Sequence, residues 1–127
     1  NITGLLLPEH QSVQITDAVL QVSQGAFSHL PIFRCGNLHQ QLRTLKKEGF
    51  WIIGVENNIN AMSWHELDYK RKLVLVMGSE GKGIRPVIVK TCDEFITIPM
   101  HGQLNSLNVS SATSAILFER LRQLSLI

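Results

Sequence analysis

Leu73-Val74-Leu75-Val76-Met77-Gly78-Ser79-Glu80-Gly81-Lys82-Gly83-Ile84-Arg85 is the stretch that decides how this chain folds. Its opening apolar residues show no polar alternation. Such a run suits a strand covered on both faces, as in a parallel sheet, so Val74 to Met77 is expected to be central. Gly78, Gly81 and Gly83 follow in the order G-x-x-G-x-G. That spacing reverses the dinucleotide-binding fingerprint, and it lacks the hydroxyl residue and the four-residue gap of a P-loop, so phosphate binding is a poor reading. Glycines at a strand end let the backbone approach a ligand or another backbone closely. A tight strand-to-helix turn accounts for them at least as well.

Towards the C-terminus, Phe95 to Ile98 is expected to be a strand. Pro99 ends it by removing a donor, and Met100 offers a soft, adaptable contact to a ligand or to the core. Ser106-Leu107-Asn108-Val109-Ser110-Ser111 then opens a helix expected from Asn108 to about Leu124, with Val109, Ala112, Ile116 and Leu117 on its apolar side. Capping explains Ser106 or Asn108. It does not explain so many small polar groups around one Leu. Glu119, Arg120 and Arg122 fit a solvated face with ion pairs.

Towards the N-terminus, Ile2 to Leu7 is expected to be a buried strand stopped by Pro8. Thr16-Asp17 could cap a helix to about Gly25. Ile32 to Cys35 reads as a strand. Asn37 starts a helix with Leu38, Leu42 and Leu45 at helical spacing, Lys46 and Lys47 near its end and Gly49 as stop. Phe50 to Val55 is a further strand, Asn57 to Asn60 a polar loop, and Arg85 to Thr91 a short helix. Strands alternating with helices predict an α/β fold: a mostly parallel sheet with helices on both faces. Ligands of such sheets bind at the carboxyl ends of strands. That places Gly54-Val55-Glu56, Gly78-Ser79-Glu80 and Ile98-Pro99-Met100 at one edge.

The 127 residues suit one domain, and 44% hydrophobic with 17% charged residues describes an ordinary globular protein. No run of about 18 apolar residues occurs, so no membrane span is expected. A net charge of +2 is compatible with a nucleic-acid partner without demanding one. Cys35 and Cys92 are isolated, with neither a C-x-x-C nor zinc-ligand spacing, which favours two free thiols in a reducing cytoplasm and no metal. A Cys35–Cys92 disulfide stays open. There is no charged-then-apolar leader. The chain begins at Asn1 where a strand starts at once, as expected of an incompletely covered N-terminus.

In their order and spacing, the glycine turn, the Ile98-Pro99-Met100 strand end and the Ser106-Leu107-Asn108 helix start closely resemble the second and third motifs of the SpoU (TrmH-like) branch of the SPOUT RNA methyltransferases. The resemblance covers almost the whole chain. Residues 4–37, with Ser23-Gln24-Gly25-Ala26, His29-Leu30-Pro31 and Asn37-Leu38, resemble the segment after the family's first motif. Val74 through Gly81 and Ser106 through Ser110 are most similar to the bacterial 23S rRNA guanosine 2′-O-methyltransferases.

The resemblance implies a C-terminal deep trefoil knot, S-adenosylmethionine as cofactor and methyl transfer to a ribose 2′-hydroxyl of RNA, with rRNA favoured over tRNA. It implies cofactor contacts at Gly78, Ile98 and Leu107, with Met100 and Val109 close by. A side chain at Gly78 is expected to fill space that the adenosine needs. Glu80, Ser106 and Asn108 fall on the polar active-site positions, with Asn108 orienting the ribose while its neighbour caps the helix. A cytoplasmic homodimer using the final helix is expected. The family's first motif, an Asn followed by an Arg that activates the hydroxyl, is expected to precede Asn1; Arg34 and Arg85 stand at the wrong places to replace it. Residues 1–127 therefore read as a methyltransferase catalytic domain without its first strand, first helix and first motif, able to bind cofactor but silent in catalysis. Two other readings are an RNA-binding module without catalysis and a serine hydrolase using Ser79, His101 and Asp93, although Ser79 lacks the G-x-S-x-G elbow.

Overall fold

The computed structural model describes residues 2–8, 30–57, 60–78, 83–101 and 108–125. The chain divides into two compact units, Asn1–Gln41 and Leu42–Ile127. In the first, β1 (Leu5–Pro8) and β2 (Ile32–Cys35) form a parallel pair with Leu5 opposite Ile32 and Pro8 opposite Cys35. Pro8 takes the last position of β1 instead of stopping the strand before it, which a strand end tolerates. Nor is the strand buried: Ile2 and Leu5 are exposed and Leu6 and Leu7 half-buried. An apolar run by itself does not report how many of its faces are covered. The helix expected after Asp17 lies outside the described residues.

Helix α1 (Leu38–Lys47) starts where Asn37 Oδ1 accepts the Gln40 N–H at 3.0 Å, and it buries Leu42. It ends at Gly49, whose φ of 95° is in the left-handed region. The Gly49 N–H donates to Lys46 O at 3.0 Å and the Phe50 N–H to Leu45 O at 3.1 Å. These two bonds are the Schellman termination that a glycine after a helix permits.

The second unit is built on a four-stranded sheet of β3 (Trp51–Val55), β4 (Met62–Ser63), β5 (Leu73–Met77) and β6 (Glu94–Thr97), in the order β4-β6-β3-β5. Every pair is parallel. Helices α2 (Pro86–Val89) and α3 (Val109–Gln123) complete it. The expected α/β class with parallel pairing is what forms. The expected centre is not: among the described residues β5 lies at an edge, while β3 and β6 are interior. Ile52 and Ile53 of β3 are fully buried, whereas β5 has only Val76 buried, and that one less completely. Strand order follows from the crossovers, which the composition of one strand does not encode. β4, two residues long, is too short for periodicity to reveal.

Ile53, Leu67, Tyr69, Ile96 and Ile116 form a buried core, with Val55, Met62, Trp64, Leu73, Leu75 and Ile98 packed against it. The amino edge of the sheet is held by polar contacts. Asp93 Oδ2 accepts the Ile52 N–H at 2.8 Å and Oδ1 pairs with Lys46 Nζ at 3.3 Å. Arg71 pairs with Glu94 at 3.1 Å and lies 4.5 Å from the centre of the Trp51 ring. Cys35 and Cys92 are not joined in a disulfide. No helix among the described residues is long and apolar enough to cross a membrane.

Candidate functional site

The carboxyl edge of the four-stranded sheet gathers the residues singled out from the sequence. Val55, at the end of β3, is in register with Met77 of β5 on one side and Ile96 of β6 on the other. Glu56 therefore leaves the sheet between Gly78 and the Thr97-Ile98 strand end. The Glu56 N–H donates to Ile96 O at 3.1 Å, and the Thr97 hydroxyl donates to Asn57 Oδ1.

The glycine turn closes backbone on backbone. A Cβ placed on Gly78 would lie 2.6 Å from the carbonyl carbon of Gly83 and 3.0 Å from Ile84 N. Only a residue without a side chain permits that approach. Gly83 has a φ of 69°, and a Cβ there would run into Glu56 Oε1. That oxygen also accepts the Ile84 N–H at 3.3 Å. A side chain at Gly78 would thus meet the returning arm of the turn, a cost separate from any it would impose on a ligand. Glu80, with Ser79, Gly81 and Lys82, lies outside the described residues.

On the other flank, Ile98 is half-buried against the core, and Met100 is half-buried two residues further on. Ser106 and Leu107 lie outside the described residues. Asn108 is exposed, with extended backbone, and its Oδ1 accepts the Ser111 N–H at 2.8 Å. Asn108 itself is therefore the N-cap, one of the two residues that capping explains in the sequence. Among the described residues no acceptor takes up its amide nitrogen. Val109, the first residue of α3, is half-buried. The small polar residues that follow are largely spent on the helix: Thr113 Oγ1 donates to Val109 O at 2.6 Å and Ser114 Oγ to Ser110 O at 3.0 Å, the back-bonding habit of hydroxyl residues inside helices. The structure thus brings Gly78 and Ile98 to one edge. It fixes Asn108 and Val109 at the amino end of a helix whose Ile116 enters the same core as Ile53 and Ile96.

Glu56, placed at the binding edge by the sequence but given no role there, is the residue that the structure brings into the site. Its signal was an isolated carboxylate directly after the apolar run of β3, at an edge already expected to bind. The hydrolase arrangement does not form: Asp93 precedes β6 and is engaged at the amino edge, whereas His101 follows β6 at the carboxyl edge. Burial, with Asp93 adding to it, pushes the Cys92 thiol up to about 11, so it is a poor nucleophile at neutral pH. No cluster of three or more metal-ligating side chains occurs among the described residues. What the edge offers is one carboxylate beside closely packed backbone, with an apolar flank at Ile98.

Residues 1–118 match the model of the SpoU rRNA Methylase family. A protein of Staphylococcus saprophyticus placed among the TrmH family tRNA/rRNA methyltransferases is 39% identical over 122 residues, which are 96% of this chain and 49% of that protein. The chain thus spans about half the length of the curated relatives it matches. Among solved structures, the TrmH/SpoU tRNA modifying enzyme of A. aeolicus aligns with a TM-score of 0.81 at 36% identity, over 94% of this chain and 61% of that one. The S-adenosylmethionine-bound rRNA methyltransferase of Sinorhizobium meliloti aligns with a TM-score of 0.86 at 25% identity, over 96% and 46%.

Proposed function

The chain belongs to the SpoU rRNA methylase family, and from that premise we propose that it is the catalytic domain of an S-adenosylmethionine-dependent enzyme that methylates a ribose 2′-hydroxyl of RNA, with rRNA as the substrate. The observation that carries the reading is the Gly78–Gly83 backbone closure beside Glu56, facing half-buried Ile98 across the end of β3. An adenosyl group suits such an edge: the base needs an apolar flank and backbone groups, and the sugar needs acceptors. The names of the A. aeolicus and S. meliloti relatives, one a tRNA and the other an rRNA enzyme, support RNA as substrate class, and the S. meliloti protein binds S-adenosylmethionine.

S-adenosylmethionine supplies, when bound, a methyl group already activated by its sulfonium. The residues of this chain hold and orient. Gly78 and Ile98 contact the adenosyl group through backbone and apolar side chain, with Leu107, Met100 and Val109 adjoining them. Asn108 Nδ2 donates to the acceptor ribose while Oδ1 keeps the helix capped. Ser106 and Glu80 complete the polar wall. Holding donor and acceptor in line is the larger share of the work, and raising the nucleophilicity of a weakly acidic hydroxyl is the rest. That second task falls to the first-motif Arg in a segment before Asn1. The proposal includes the trefoil knot through the glycine turn, the Ile98–Met100 strand end and α3, a cytoplasmic setting, and a homodimer in which α3 takes part.

Calorimetric titration with S-adenosylmethionine tests the cofactor, and the expected result is one site per chain. Transfer of labelled methyl is then measured on rRNA and tRNA, by residues 1–127 alone and by the chain preceded by a segment carrying the Asn and Arg of the first motif. Transfer is expected only from the longer protein, onto rRNA, with the modified position resistant to alkaline cleavage because that reaction needs a free 2′-hydroxyl. No cofactor binding would sink the reading. Methylation at a base would sink the ribose assignment alone, and preference for tRNA would move the substrate. Cofactor binding without transfer by either protein would favour the RNA-binding module.

A further inference from the structure

We propose that Glu56 is a cofactor-binding residue: one carboxylate oxygen shapes the glycine turn, and the other receives the ribose hydroxyls of the adenosyl group. The inference rests on the adenosyl-binding reading above and adds to it a contact on β3, the strand between the two motif-bearing strand ends. Its position is fixed by the sheet. Val55 is in register with Met77 and Ile96, so Glu56 emerges with Gly78 on one side and Thr97-Ile98 on the other. Its backbone is tied down by the Glu56 N–H to Ile96 O bond. Its Oε1 accepts the Ile84 N–H and occupies the place where any side chain on Gly83 would begin. Gly83 adopts its positive φ around that oxygen. Among the described residues no donor reaches Oε2.

An uncharged acceptor would also fix the Ile84 N–H. A full charge at the mouth of a binding edge is better explained by what Oε2 can accept. Oε2 has lone pairs enough to accept from both vicinal hydroxyls, and O–H to carboxylate bonds are roughly twice as strong as neutral ones. In dinucleotide-binding folds a carboxylate at a strand end holds ribose hydroxyls, so the chemistry asked of Glu56 has a precedent in another parallel sheet. Asn57, held by the Thr97 hydroxyl, continues the polar floor next to it.

The test is calorimetric, with S-adenosylhomocysteine as an unreactive probe and its 2′-deoxyribose analogue as control, on the wild type and on Glu56→Gln. Glutamine keeps an acceptor for Ile84, so the thermal midpoint should stay within a degree or two while S-adenosylhomocysteine affinity falls about tenfold, the scale of one lost charge-assisted bond. The wild type should bind the deoxy analogue about tenfold more weakly than the parent, and Glu56→Gln should not distinguish the two ligands. Equal binding of parent and deoxy analogue by the wild type would overturn the proposal without reference to any variant. Equal weakening of both ligands by Glu56→Gln would also overturn it, because the carboxylate would then act only through the turn. Unchanged affinity in Glu56→Gln would do the same and leave the adenosyl-binding reading standing. No binding by the wild type would overturn that reading itself.

Discussion

Gln123, on the last turn of α3, closes on the backbone of Tyr69: its Oε1 accepts the Tyr69 N–H at 3.0 Å. Its Nε2 donates to Leu67 O at 2.8 Å and to Glu119 Oε2 at 2.9 Å. One amide thus clips the segment between β4 and β5 onto the final helix. That segment supplies Leu67 and Tyr69 to the core on which Ile98 rests, so the clip bears on the flank of the binding edge. Gln123→Ala would strand part-buried backbone groups and should cost about 2 kcal/mol of stability. Urea denaturation measures it. A loss below a few tenths would mean that water replaces the amide without penalty.

The same network sets an acid limit. Hydrogen bonds from Arg122, at 2.7 and 3.0 Å, and from Gln123 hold the Glu119 carboxyl down to about 2 from an ordinary 4.5. The folded-state value lies below the unfolded one. The stabilisation is therefore fully present above pH 4.5 and is lost as pH falls from there towards 2. Glu119→Gln should flatten the stability profile across that window and leave its slope above pH 5 unchanged. An identical acid slope in the variant would locate the acid sensitivity elsewhere.

At Gly78, two outcomes separate crowding of a ligand from crowding of the turn. Gly78→Val should abolish S-adenosylmethionine binding and also lower the thermal midpoint, because its side chain meets the Gly83 backbone at 2.6 Å rather than empty space. Backbone cannot rotate away as a side chain can. Binding lost at unchanged stability would restore the simpler ligand-space explanation. Undiminished binding would count against Gly78 as a cofactor contact.

Phe118 is 61% exposed on α3, with half-buried Leu121 and Leu124 on the same helix. A large aromatic left in water on a terminal helix fits a face that is covered in an assembly. Phe118→Asp should shift the proposed homodimer to monomer in sedimentation at tens of micromolar (roughly the range in which modest interfaces persist). A wild type that is already monomeric there would remove the dimer from the proposal.

Much of this was legible because it is local. Asn37 as cap, Gly49 as stop and the start of α3 at Asn108 follow from how single residues complete helix ends. The strand runs 51–55 and 73–77 follow from continuous apolar character. Relations across the sheet were not legible. That β5 lies at an edge among the described residues, that Glu56 meets Gly83, and that Gln123 reaches Tyr69 across 54 positions each depend on crossovers, which residue types do not specify. Gly78 was identified as needing to be glycine, but what crowds it is another part of the same turn.

Asn108 carries the sharpest division between a structural and a chemical role. Its Oδ1 caps α3 through the Ser111 N–H, and Asp caps a helix as well as Asn does. Asn108→Asp should therefore keep the thermal midpoint of the wild type. If the amide nitrogen orients the acceptor ribose, the same change removes a donor and adds a negative charge beside an anionic substrate. Methyl transfer by the protein carrying the first-motif segment should then slow by about a hundredfold, the scale of a lost transition-state hydrogen bond. S-adenosylhomocysteine affinity should barely change, because the amide faces the acceptor rather than the cofactor. Full activity in a well-folded Asn108→Asp would leave the residue as a helix cap alone and return the task of orienting the ribose to Ser106 or Glu80.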